Sequence, residues 1–96
     1  MSQTLFSREE LEASKGVVGR IVRIVGPVVD VEFPPEQLPA IYNALTVDAK
    51  TLAGDIHVVL EVETHLPGNL VRSVAMSSTD GMVRGLEAQD TGHPIV

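Results

Sequence analysis

The sequence predicts an all-β fold, a small closed six-stranded antiparallel barrel preceded by a short N-terminal tail or helix. Three observations predict it. From Val17 onward apolar residues recur with a period of two, and β-branched residues dominate. Gly and Pro pairs break the chain into short runs at a spacing of roughly ten residues. No helical pattern separates these runs, so the strands should pair antiparallel. A closed barrel is preferred over an open sheet because closure removes the edges that so valine-rich a chain would expose.

The elements follow in chain order. In the first 15 residues, Ser7 followed by Glu10 fits a capping box, and Leu5, Phe6 and Leu11 would give a short helix one apolar side; a frayed tail reads equally well. The stretch "GRIVRIVGPVVDVEF" holds two strands broken at Gly26-Pro27, where proline lacks a ladder donor and glycine allows the bend. In the second of these, Val29, Val31 and Phe33 share the inner face, whereas Asp30 and Glu32 share the outer one with Val28. The three prolines of "FPPEQLPAIYNAL" forbid continuous ladder bonds and make 34–41 irregular. Leu45 and Val47 then alternate with Thr46 and Asp48.

The clearest strand runs from Ile56 to Thr64. Ile56, Val58, Leu60 and Val62 fall inside, while His57, Glu61 and Glu63 fall outside with Val59. "HLPGN" supplies the turn pair Pro67-Gly68, so "NLVRSVAM" returns as the second arm of a hairpin. A last strand is expected around Met82–Gln89, interrupted at Gly85. Several strands are apolar on both sides: Val22 and Ile24 against Ile21 and Val25, and Leu70 and Val74 against Val71. Such strands suit a barrel whose outside meets other subunits, and Val28, Val59 and Val71 are the candidate contact residues.

Composition narrows the function. Ninety-six residues allow one domain, burying roughly 60 to 65% of the surface of the unfolded chain. A formal net charge of -6 with seven Lys and Arg argues against nucleic-acid binding, which leans on those residues. The absence of cysteine excludes thiol catalysis and disulfides and suits a reducing compartment. No apolar run nears the roughly 20 residues of a membrane helix, and the acidic start is neither a secretion signal nor a transit peptide.

No constellation for chemistry emerges. The phosphate loop G-x-x-x-x-G-K-[ST] is absent, since Lys15-Gly16 and Lys50-Thr51 lack the preceding glycines. His57 and His65 stand about 26 Å apart along one strand, too far to share a metal, and with His93 they read as surface histidines. Glu61 and Glu63 form a solvated acidic face, because acid–base work would need burial. Ser73, Ser77 and Ser78 lack a nucleophile elbow. The aromatics Phe6, Phe33 and Tyr42 make no stacking platform. No catalytic, cofactor-binding or metal residue is therefore assigned. A stand-alone barrel binding an oligonucleotide or small ligand is the alternative to a subunit-assembly domain.

Taken in order, "GRIVRIVGPVVDVEFP", "YNALTVD" and "LEVETHLPGNLVRSVAMSSTDGMVRGLEAQDTGHPI" resemble the N-terminal region of the β subunit of F-type ATP synthases, from about Gly19 to Ile95. The phrases "GPVVDVEF", "HLPGNLVR" and "STDGMVRG" carry the likeness. The resemblance implies a tail at 1–16, a six-stranded barrel at 17–82, and at 83–96 the passage toward a nucleotide-binding domain beyond Val96. It implies that ATP or ADP and Mg are bound by that later domain and not by this segment, so these residues alone should be inactive. It also implies an alternating three-plus-three ring with the α subunit, on the cytoplasmic side of a bacterial plasma membrane or, less expected, at an organelle inner membrane. Contact with the membrane would be indirect, through the complex.

Overall fold

The computed structural model describes residues 16–52 and 54–95. The helix or tail expected at the N-terminus lies, Gly16 apart, outside the described residues. Six strands form: β1 Val18–Val25, β2 Val28–Glu32, β3 Asn43–Thr51, β4 Gly54–Leu66, β5 Leu70–Ala75 and β6 Glu87–Pro94. They close in the order β1-β2-β5-β4-β3-β6, and every neighbouring pair is antiparallel. The predicted fold class is thus the observed one.

The inner faces supply the core. Val29, Val31, Leu45, Val47, Leu60 and Val62 are sealed from solvent, and Phe33 and Val58 nearly so. Ile56 is half-buried and packs against that cluster with Leu38 and Leu86. The ends of the barrel are plugged from loops. Pro39 is buried at the end where β2 stops and β3 starts, and Met82 enters the core from the β5–β6 connection.

Two-sided apolarity in β1 has a local cause that a strict period of two conceals. Ile21 lies opposite Val31, yet Ile24 lies opposite Val29, because the register slips between Ile21 and Arg23. Val22 is the extra residue of a β-bulge, so Ile21 and Ile24 both face inward. A second slip, between Val62 and Thr64, makes Glu63 the extra residue of β4.

The expectation for Val71 is corrected. Val71 is 0% exposed and belongs to the core cluster, because it lies opposite Val31, an inner residue of β2. Leu70, Arg72 and Val74 take the outer side of β5 instead. The expected barrel limit at residue 82 is also corrected. The sixth strand is Glu87–Pro94, which pairs with β1 and β3 and closes the ring; the segment expected to lead out of the barrel is its last stave.

Turns follow their residues. Val25 pairs with Val28 around Gly26-Pro27, and Gly26 has φ +56°. A two-residue hairpin loop of this kind needs positive φ at its first position, which glycine supplies without steric cost. Tyr42 also has positive φ, +77°, rare for a bulky residue; its N–H donates to Val62 O at 2.7 Å and fixes the entry to β3.

Gly19 is required by space. A Cβ there would lie 2.7 Å from the Glu32 carbonyl oxygen, 2.8 Å from Val31 Cγ1 and 2.9 Å from Phe33 Cε2. Gly19→Ala should therefore push β1 off β2 and cost about 1–3 kcal/mol, read as a lower urea midpoint. An unchanged midpoint would show that β1 does not cross the Phe33 ring this closely.

Candidate functional site

The wall made by β1, β2, β5 and β4 carries two adjoining rows on its outside. The first runs across the strands as Val25, Val28, Val74 and Glu61, each opposite the next. Val25 is 54% exposed, and Val28 and Val74 are half-buried. Met76, 50% exposed, follows on the same side of β5, and its N–H donates to Val59 O at 2.9 Å. Val59, half-buried, therefore continues the apolar strip. Of the candidate contact residues, Val28 and Val59 lie on this wall and Val71 lies behind it.

The second row is Arg23, Asp30, Arg72 and Thr64. Asp30 was expected outside the barrel; it points outward but is only 4% exposed. Arg72 lies over it as a two-pronged donor, Nε to Oδ1 at 3.0 Å and Nη2 to Oδ2 at 3.1 Å. This fork geometry is the strong form of an arginine–carboxylate pair, and the hydrogen bond and charge of Asp30 raise the Arg72 pKa further above its ordinary value. Arg23, exposed, has no hydrogen-bond or ion-pair partner among the described residues. Arg23, Val25, Val28, Asp30 and Arg72 together line an open groove of about 210 Å³.

Several further polar residues have structural partners. Ser73 is fully buried and donates to Val29 O at 2.7 Å, so its hydroxyl is not available as a nucleophile. His57 bonds Asp48 across the β3–β4 hairpin. His65 Nε2 donates to Pro39 O at 2.7 Å and pins the end plug. His93 Nδ1 lies 2.8 Å from Pro94 O. The pKa of Glu63 is raised by its hydrogen bond to Glu61, with desolvation and the Glu61 charge adding to it; Glu63 stands in solvent and Glu61 is half-buried beside it. No group of three or more His, Asp or Glu that could hold a metal occurs among the described residues.

Sequence reading missed a buried polar pair inside the barrel. Asp90, 2% exposed, accepts from Asn43 Nδ2 at 3.1 Å and from the Gly92 N–H at 2.9 Å. Burial pushes the Asp90 carboxyl up, against the pull of the Gly92 and Asn43 bonds and of His93. The only outward signal was a "DTG" turn triplet in a stretch with few β-formers.

These features define a class: a closed barrel with an apolar and arginine-bearing outer wall and no assembled catalytic constellation among the described residues. The chain belongs to the ATP synthase alpha/beta family; the model of that family's beta-barrel domain matches residues 21–92, from the second half of β1 into β6.

The raised Asp90 pKa sets a pH dependence. In the folded state the protonated form is favoured, so the associated stability is present below the unfolded value of about 3.9 and lost as pH rises through the higher folded value. Asp90→Asn removes this titration. Its stability relative to the unaltered chain should improve between pH 4 and pH 7 in paired urea melts; a constant or opposite difference would contradict the assignment. Asn43→Ala, which removes a donor to the buried carboxylate, should cost about 1–3 kcal/mol at pH 7.

Proposed function

We propose that the chain is the N-terminal barrel of the β subunit of a proton-translocating F-type ATP synthase, and that it joins alternating α and β subunits, three of each, into a ring. Family membership supports the barrel's place in such an enzyme. The β reading rests on the resemblance of "GPVVDVEF", "HLPGNLVR" and "STDGMVRG". The observation that carries the assembly role is the apolar strip Val25, Val28, Val74, Met76 and Val59 on the outside of a barrel whose inside is already full.

The physical argument is one of surface. An outward strip of valine and methionine costs solvation free energy unless something covers it, and covering it releases roughly 25 cal/mol per Å². A neighbouring barrel that buries about 800 Å² on each side would be an ordinary stable contact. The barrel walls then act as a rigid collar, holding one end of each subunit while the domains below change shape. Nucleotide and Mg would be bound by the domain that follows in the intact subunit, which makes ATP from ADP and phosphate with the ion gradient. The complex would sit peripherally on the cytoplasmic face of a bacterial plasma membrane, with this barrel making no direct contact with lipid or nucleic acid.

In sedimentation of this chain mixed with the α-subunit barrel of the same complex, a joint species should form. Val28→Asp, which puts a carboxylate in the centre of the strip, should weaken it at least ten-fold with unchanged circular dichroism. Absence of any joint species, or full association by the variant, would overturn the assembly role of this wall.

A further inference from the structure

Two arginines flank the apolar strip, and they are not equivalent. Arg23 and Arg72 stand on either side of Asp30, each directly opposite it on a neighbouring strand. Both carboxylate oxygens of Asp30 go to Arg72. The groove that the three share with Val25 and Val28 is thereby left with one uncompensated positive charge, on an exposed guanidinium with five donors and no acceptor among the described residues.

Resting on the assembly reading above, we propose that Arg23 is the polar specificity determinant of this wall, and that the groove takes an aspartate or glutamate side chain from the neighbouring barrel. The apolar strip supplies area without direction. Arg23 supplies a fixed charge at the strip's edge, and a facing surface of matching shape but lacking a carboxylate would leave a guanidinium desolvated and unpaired. Asp30 and Arg72 make the wall selective for one charge, because their mutual pairing removes the competing carboxylate that would otherwise satisfy Arg23 from within.

The opposite wall of the same barrel offers, among the described residues, no free carboxylate of its own to such a groove. In the closed order β1-β2-β5-β4-β3-β6, the strands across from β2 and β5 are β3 and β6. There Thr46 and Asp48 of β3 and Glu87 and Gln89 of β6, with Val18 of the adjoining β1, line a groove whose two carboxylates already have partners, Glu87 with Arg20 at 3.2 Å and Asp48 with His57. The groove at Arg23 therefore fits a neighbour that presents a carboxylate without a cation of its own beside it.

The test measures affinity between this chain and the α-subunit barrel of the same complex at 50 mM and 500 mM salt. The variants are Arg23→Glu, Arg23→Lys and Val28→Asp. Arg23 is exposed, so its variants should keep the melting temperature. Arg23→Glu should weaken binding roughly ten- to a hundred-fold at low salt, Arg23→Lys much less, and the salt dependence of the unaltered chain should largely vanish in Arg23→Glu. If Val28→Asp abolishes binding while Arg23→Glu changes it less than about two-fold, the assembly reading stands and the role of Arg23 is overturned. If neither variant weakens binding, the wall itself is the wrong surface and both fall.

Discussion

Closure of the sheet through β6 is the constraint on which the rest of the molecule depends. Without Glu87–Pro94, β1 and β3 would each present a row of unpaired amides and carbonyls, and the inner faces of Ile21 and Leu45 would open to water. The closing strand is irregular. Asn43 lies opposite Pro94 but Leu45 lies opposite Asp90, so three residues of β6, Thr91 to His93, are taken up against one of β3. Side chains replace the missing ladder bonds: Thr91 Oγ1 donates to Ala44 O at 2.7 Å, and Asp90 collects the Gly92 N–H and Asn43 Nδ2. The cost of a buried carboxylate is thus accepted where the barrel has to be closed, and its position inside the ring explains why its pKa is raised.

The same closure explains which parts of the structure were legible in the sequence. The strands with strong alternation, around Val29 to Phe33 and Ile56 to Val62, place their residues inside as the period requires, because each has one wet face and one dry one. β6 was legible only at its start: a last strand was expected around Met82–Gln89, and 83–96 was also read as a passage out of the domain, whereas the strand is Glu87–Pro94. Its residues "EAQDTGHP" contain one β-branched residue and neither alternation nor a long apolar side chain; it is a strand because β1 and β3 both need a partner, which is a tertiary and not a local cause. The bulges at Val22 and Glu63 are equally invisible, since a one-residue slip in register leaves the composition of the run unchanged while exchanging its faces. Val71 was misplaced for a related reason. In "LVRSVA" valines occur on both parities, and only pairing with Val31 decides which of them is inside.

The outer wall was half legible. Asp30 was legible as an outward residue of a valine-rich strand, but its grouping with Arg23 and Arg72 depends on the β1–β2–β5 order, in which β5 comes from more than 40 residues further along the chain. Once grouped, the difference between a spent arginine and a free one follows from geometry alone. The barrel therefore has a filled interior that sets its shape and, on the assembly role proposed above, an exterior that would choose its neighbours. This division would suit the proposed collar, for which rigidity and the choice of contact are what matter.

The central claim is that the β1–β2–β5–β4 wall is the surface covered on assembly. Methyl-resolved NMR of this chain with a soluble paramagnetic agent, with and without the α-subunit barrel, tests it most directly. The account predicts that the methyls of Val25, Val28, Val74, Met76 and Val59 lose their paramagnetic broadening on addition of the partner, while Leu52 at the β3–β4 hairpin tip keeps it. Broadening of those five methyls that persists in the complex, with protection at Leu52 instead, would contradict it.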